Sequence, residues 1–395
     1  MAVSGLGLLA GHDPSESARL RYPLRRSPAS PESNESWIEL NLEHMTWNLE
    51  RIKAKVKVPI MAVIKANAYG HGLLDIGRHL DNCNIDALMV CKLQEAIDLK
   101  KSGVTCPVYN FGPLLPQACE EIVRYDIGQF LSSSGYEHLI EAARKQNKRV
   151  KVHIHIDTGM NRMGIPYSEA SSFLKTLLSY PEFQIRGIST TLTEEEAFDT
   201  EQRERLLAAS LLLERAGLSS VKRHAASSAG IFSSRPVYLD MIRPGIALYG
   251  YYPNHESARE NSLKLKPVMQ FKTRIAEVKS LQPGDSASYH RLYKAQKQER
   301  IAVLPVGYSD GIPPRIVDKG VVLMRDKKCP IIASITANHM IVRLPPGMDV
   351  SPGEETVLIG SQGRQTVSAD DYAAWAETSN YKILIGLNPL LPRRG

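Results

Sequence analysis

The sequence predicts an α/β protein in two parts: an N-terminal (β/α)8 TIM-type barrel over residues 36–253 and a C-terminal β-rich domain over residues 254–395. Between residues 60 and 243, eight short apolar runs alternate with stretches of helical periodicity, a pattern that makes the strands parallel. Past Pro253 the helical period fades. Alternating runs such as Met269-Gln-Phe-Lys-Thr-Arg-Ile275 take over, separated by Pro-Gly turns near 283, 346 and 352. At 395 residues the chain is too long for one small core, so two domains are the natural expectation.

Residues 1–35 read as a disordered leader, with Pro14, Pro23, Pro28 and Pro31 set among Ser, Glu and Arg. Order begins at Ser36-Trp-Ile-Glu-Leu40, an alternating strand. A helix follows with Asn41 as N-cap and Leu42, Met45, Leu49 and Ile52 on one face. The eight strands fall at 60–64, 87–91, 108–111, 127–131, 152–156, 185–189, 222–225 and 241–243, with helices at 93–101, 136–146 and 195–216 between some of them. In a (β/α)8 barrel the active site lies at the carboxyl ends of the strands. Lys65, Arg162, His224 and Arg243 follow or end such strands. A doubly wound sheet competes, but no GxGxxG follows any strand.

Apolar residues make up 43% and charged residues 23%, the balance of an ordinary globular protein. The net charge of +7 is spread along the chain apart from Arg19, Arg21, Arg25 and Arg26, without the like-charge blocks of a nucleic-acid tail. Such a surface slightly favours anionic ligands. Five cysteines (Cys83, Cys91, Cys106, Cys119, Cys329) without a CxxC pair suggest neither a disulfide framework nor a zinc site, and fit a reducing compartment. The apolar stretch at 3–10 lacks a basic n-region, and no run approaches the roughly 18 residues of a membrane span. The expectation is a cytoplasmic protein with neither membrane nor nucleic-acid partner.

The segment Ala62-Val-Ile-Lys-Ala-Asn-Ala-Tyr-Gly-His-Gly72 ends an apolar strand on a lysine and follows it with the asparagine and glycines of a tight turn. An amine placed there can serve as a nucleophile, although a strand-end lysine on its own more often snorkels to solvent. As a whole string the segment resembles the cofactor-lysine motif of the alanine racemase family, and the resemblance runs in order from residue 36 to residue 393. His155-Ile-Asp-Thr-Gly-Met-Asn-Arg-Met-Gly164 resembles the family's DTGMxRxG segment, His224-Ala-Ala-Ser-Ser228 its next element, and Arg243-Pro-Gly-Ile-Ala-Leu-Tyr-Gly250 its RPGIALYG string at every position. Ser288-Tyr289 and Gly307-Tyr-Ser-Asp-Gly311 resemble two tyrosine motifs, and Thr378-Ser-Asn-Tyr381 resembles TxNYE.

The resemblance implies a pyridoxal 5'-phosphate (PLP) enzyme that interconverts L- and D-alanine or a related amino acid. Lys65 would hold the cofactor as a Schiff base and act as one base, with Tyr289 as the other. Tyr69, Ser228, Tyr381 and the Gly245 and Ile246 amides would meet the phosphate. Arg162 would sit beside the substrate carboxylate and the cofactor's phenolic oxygen, and His224 would contact Arg243, which would face the pyridine nitrogen. A permanently charged guanidinium keeps that nitrogen unprotonated and weakens the electron sink, so rapid return of the proton is favoured over transamination. Tyr308 and Ala337 would line the substrate side. The opposing tyrosine would come from the second subunit of a homodimer with shared active sites.

Several positions depart from the family pattern. Thr191 stands where a histidine would stack on the ring, Ser227 replaces an asparagine, and Ala337-Asn338 replaces Met-Asp. His155 stands at a lysine position, Lys382 at a glutamate and Leu390 at an arginine. Thr191 would loosen the ring's seat, Ala337 would leave room for a larger substrate, and an anion could stand in beside Arg162. Two other outcomes stay open at this point: another reaction on the same fold, such as decarboxylation or aldol cleavage, and PLP binding with little turnover.

Overall fold

The computed structural model describes residues 35–133, 135–233 and 238–395; the expected leader, apart from Glu35, lies outside them. Seven parallel strands follow one another as hydrogen-bonded neighbours: Met61–Val63, Ala87–Val90, Val108–Asn110, Gly128–Leu131, Val150–Asp157, Phe183–Ser189 and Lys222–His224. The eighth expected run, 241–243, closes the ring. Ile60 and Ile242 form a parallel bridge, the Met61 amide donates to the Ile242 carbonyl at 2.9 Å, and the Arg243 amide donates to the Ala226 carbonyl at 2.8 Å. Seven of the eight expected runs are therefore strands in sequence order, and the eighth is an isolated bridge that joins the last to the first. Most of their residues are buried because both faces of the sheet are covered, as parallel sheets require.

The helices form where the apolar spacing places them. Leu42–Val56 is capped by Asn41, whose Oδ1 accepts from the His44 amide at 3.0 Å, and it buries Met45, Leu49, Ile52 and Val56. Leu93–Lys101, Glu137–Lys145 and Glu196–Arg215 match the three expected helices within a residue or so. Among the described residues, no helix is long and apolar enough to cross a membrane.

The C-terminal part is built on a mostly antiparallel sheet. Its strands run, side by side, Glu277–Leu281, Glu299–Leu304, Met340–Arg343, Lys327–Ile332, Val321–Met324, Glu355–Gln362, Met269–Arg274, Ser36–Leu40 and Arg393–Arg394. Ser36–Leu40 is a strand as expected, but it belongs to this sheet rather than to the barrel: Ser36 pairs with Thr273 and Leu40 with Met269. Burying Trp37, Ile38 and Leu40 there contributes roughly 1.5–3 kcal/mol per side chain, tying the chain's first element to its last third. Two helices that fading periodicity hid, Ala369–Ala376 and Asn380–Gly386, also lie here. The first begins with a capping box, Ser368 and Asp371 each accepting from the other's backbone amide.

Candidate active site

Lys65 directly follows the first barrel strand and opens a turn of uncommon handedness. Ala66 (φ 55°, ψ 56°), Asn67 (55°, 46°) and Ala68 (52°, 52°) are left-handed, and Tyr69 follows with φ 53°. An L-residue in this region costs roughly 1–2 kcal/mol, so surrounding bonds must hold the turn. Within it the Ala68 amide donates to the Ile64 carbonyl at 3.0 Å, and the Gly70 amide to the Ala66 carbonyl at 3.1 Å. From outside, Glu95 Oε1 accepts from the Asn67 amide at 2.8 Å, and Arg393 donates to the Gly70 carbonyl at 2.9 and 2.7 Å. Asn67 Oδ1 in turn accepts from the Leu73 amide at 2.8 Å and starts the next helix. Strain of this kind, over-determined by its surroundings, is characteristic of functional sites.

The turn delivers Tyr69 to the floor of a cavity of about 460 Å3, lined by Lys65, Tyr69, Arg162, Ser228, Arg243, Gly245, Ile246 and Tyr381, among others. The Ser228 hydroxyl accepts from the Gly245 and Ala247 amides at 3.0 and 3.2 Å, which gathers a hydroxyl and helix-start amides in one place. Gly245 is obligatory for this approach, because a Cβ there would stand 2.2 Å from Tyr69 Oη. The Tyr69 and Tyr381 rings are 6.0 Å apart. Burial raises both phenols well above the ordinary range, so they remain donors at any physiological pH.

Arg243 is buried among carbonyls, and among the described residues no carboxylate pairs with it. Nη1 donates to the His224 carbonyl at 3.0 Å, and Nη2 to the Thr190 and Ala225 carbonyls at 2.7 and 3.2 Å. Nη1 also donates to His224 Nδ1. That bond makes Nδ1 an acceptor, leaves the His224 proton on Nε2, and directs it to His153 Nδ1 at 2.7 Å. Burial, together with the Arg243 charge, holds His224 well below the usual histidine range and His153 at about 3. Burial also lowers Arg243, to about 10, which leaves it charged at neutral pH. Its Nη groups are taken up by this network, while the side chain also borders the cavity.

Arg162 lies on the glycine loop that follows the fifth strand. Asp157 Oδ1 accepts from the Gly159 and Asn161 amides at 2.9 and 3.1 Å, and folds the loop around itself. Gly159 and Gly164 take φ of 141° and 129°. Arg162 is exposed and borders the cavity, a cation available to an anionic ligand.

The structure thus brings eight of the sequence-predicted residues to one cavity, with His224 directly behind Arg243. It does not bring Tyr289, Tyr308 and Ala337 there. Tyr289 is 73% exposed and Tyr308 55%, both on turns of the C-terminal part. Tyr308 and Ala337 occupy adjoining turns: the Tyr308 amide donates to the Thr336 carbonyl at 3.0 Å, and the Ser309 amide to the Ala337 carbonyl at 3.0 Å. Sequence reasoning missed Glu95, His153 and Arg393. Each acts through a partner distant in sequence, and only the helix-start position of Glu95 hinted at a capping role.

Comparison with known proteins places this geometry. Residues 40–253 match the family model described as alanine racemase, N-terminal domain, and residues 268–395 match alanine racemase, C-terminal domain. The chain belongs to the alanine racemase family. It is 34% identical over 368 residues to an alanine racemase of Halothermothrix orenii, covering 91% of this chain and 96% of that one. The solved alanine racemase of Clostridium difficile 630 superposes with a TM-score of 0.85 at 29% identity, over 91% of this chain and 95% of that one. One from Bacillus anthracis, solved with bound L-Ala-P, gives 0.83 at 30% identity over 91% and 94%.

Four of the positions that depart from the alanine racemase pattern make polar contacts of their own. His155 and Thr191 touch each other. His155 Nδ1 meets the Ser189 hydroxyl at 2.9 Å, and its Nε2 meets Thr191 Oγ1 at 3.4 Å. Burial holds this histidine at about 3, so it is a neutral bridge. Ser227 caps the short helix Ser228–Phe232 by accepting from the Ala229 amide at 3.2 Å. Asn338 donates to Ser309 Oγ at 2.9 Å, which ties its turn to that of Tyr308.

Proposed function

We propose that this chain is a PLP-dependent amino-acid racemase acting on alanine, with its site completed by a second copy of the chain. The observation that carries the proposal is the cavity itself. It joins an amine at a strand end, a hydroxyl with converging amides, and a buried guanidinium without a counter-ion among the described residues. These residues fit PLP. Ser228, Tyr69, Tyr381 and the 245–246 amides offer donors to a phosphate. The glycine at 245 allows backbone and phenol to approach together, and Lys65 supplies the amine for an aldehyde. When bound, PLP supplies the electron-withdrawing ring that makes an amino acid's α-proton removable.

The chain's own residues do the rest. Arg162 pairs with the substrate carboxylate and orients the α-carbon. Arg243, fixed by carbonyls and by neutral His224, presents a permanent positive charge to the pyridine edge, so no proton settles there. Lys65 removes or returns a proton on one face. A racemase needs a second acid/base group on the other face, and Tyr289, exposed and away from its own cavity, supplies it to the partner subunit. A two-fold pair is the closed arrangement that completes both sites. The protein works in the cytoplasm.

The test is covalent trapping. Borohydride reduction of the protein with PLP is expected to fix pyridoxyl on Lys65, and Lys65→Ala is expected to lose both label and activity. Label on any other lysine overturns the assignment.

A further inference from the structure

Four consecutive non-glycine residues, Ala66 to Tyr69, are left-handed immediately after Lys65, and two charged side chains from elsewhere in the chain grip the ends of that turn. At its start, backbone amides point out of the turn without partners inside it. Glu95, in the first turn of the helix Leu93–Lys101, receives the Asn67 amide at 2.8 Å. The other oxygen of that carboxylate, Oε2, is buried and meets no hydrogen-bond partner among the described residues. At the end of the turn, the guanidinium of Arg393 donates twice to the Gly70 carbonyl, at 2.9 and 2.7 Å. Arg393 is itself fixed by the carbonyls of Leu391 and Pro389 at 2.8 and 3.0 Å. The turn has no slack, since a Cβ on Gly70 would stand 2.1 Å from the Leu384 carbonyl oxygen.

We propose that Glu95 and Arg393 are positioning residues that clamp the left-handed turn and thereby aim the Lys65 amine, on the reading that Lys65 carries the cofactor. Neither lines the cavity, and neither is among the groups that hold phosphate or carboxylate. Of the phosphate donors, those at 228, 245 and 246 stand at helix starts outside the turn, whereas Tyr69 stands on it. Without the clamp, the turn relaxes toward right-handed or extended backbone, which is where alanine and tyrosine settle unaided. The direction of the Lys65 side chain then changes together with that of Tyr69, while Ser228 and the 245–246 backbone stay. The clamp also joins the two parts of the chain: Glu95 comes from the second barrel repeat, and Arg393 from the strand beside Ser36–Leu40.

The experiment compares Glu95→Ala, Glu95→Gln, Glu95→Leu and Arg393→Lys with the wild-type holoenzyme. It measures kcat and KM for alanine, hydrogen exchange of the peptide covering 64–73 with and without PLP, and the yield of pyridoxyl on Lys65 after borohydride. Glu95→Ala is expected to lower kcat about 10- to 100-fold, the scale of a misaligned reacting group, with KM changed less than about threefold. Exchange is expected to rise in 64–73 in the presence and absence of PLP, and labelling of Lys65 to slow. Glu95→Gln keeps an acceptor for the Asn67 amide and is expected to recover most of the loss, whereas Glu95→Leu fills similar space without an acceptor and is expected to behave as Glu95→Ala does. Arg393→Lys keeps charge but not the paired bonds, so it reads the clamp from its other end even if Glu95→Ala does not fold. Unchanged exchange in 64–73, or a loss of kcat shared equally by Glu95→Gln and Glu95→Ala, overturns the clamp. Wild-type label on another lysine instead overturns the functional reading, and with it the purpose assigned to the clamp.

Discussion

Gly245→Ala adds one methyl group at the point where the phosphate donors converge. The close neighbours there set the penalty. The new Cβ would stand 2.2 Å from Tyr69 Oη and 2.9 Å from its Cζ, whereas ordinary contact begins at 3.4 Å. Tyr69 must therefore retreat by roughly 1 Å, against an overpacking cost of about 1–3 kcal/mol. It has little room, being 4% exposed with its ring 4.9 Å from that of Tyr249. If the strain is released by displacing the phenol from the phosphate, PLP affinity falls by about 5- to 150-fold, at about 1.4 kcal/mol per tenfold. Titration of the apo-protein with PLP, followed by its absorbance and by tyrosine fluorescence, measures this directly. Tyr69→Phe in the same background removes the closest atom and is expected to regain part of the loss, a non-additivity that marks direct contact. Wild-type affinity in Gly245→Ala would refute the claim that Tyr69 and the 245–246 backbone form one phosphate seat.

The other predictions concern acid stability and subunit sharing. Burial holds His71, His153 and His155 at about 3 and His224 well below its ordinary 6.5, so all four are neutral when folded but take up protons near pH 6.5 when unfolded. The unfolded chain then binds more protons, and stability present above pH 6.5 is lost as pH falls toward 3, by up to about 1.4 kcal/mol per histidine per pH unit. Urea unfolding of the apo-protein at pH 7.5, 6.5 and 5.5 (conditions at about these values suffice) is expected to show falling midpoints, and equal midpoints would mean these rings are not buried neutral. Mixing inactive Lys65→Ala and Tyr289→Phe chains is expected to restore about a quarter of wild-type activity, since about half the pairs are mixed and each holds one intact site. Full subunit exchange without rescue would show that Tyr289 does not act across a pair.

Much of the fold was legible because parallel strands covered on both faces read as apolar runs whatever their neighbours, and the eight runs from 60 to 243 needed no distant partner to be seen. Ser36–Leu40 was legible as a strand but not in its place, because pairing with Met269–Arg274 is decided more than two hundred residues away. The helix Ala369–Ala376 escaped notice behind a short, weakly amphipathic stretch. In the site, whole motifs identified Lys65, Arg243 and their companions. The left-handed turn was not legible, since in Ala-Asn-Ala-Tyr only Asn67 readily tolerates that conformation, and two of the groups that hold it, Glu95 and Arg393, are distant in sequence. Nor was the contact between His155 and Thr191, two departures from the family pattern that read separately as losses.

The central claim is racemisation, and its most direct measurement is chiral analysis of L-alanine and D-alanine, each incubated with the protein and PLP in deuterium oxide. Enantiomers have equal free energy, so a racemase must carry either one to an equal mixture, with deuterium entering at the α-carbon. Both approaches to that mixture, each abolished by Lys65→Ala, are the result this account predicts. Loss of alanine to a decarboxylated or keto product, or either enantiomer recovered unchanged and unlabelled from a PLP-loaded protein, would contradict it.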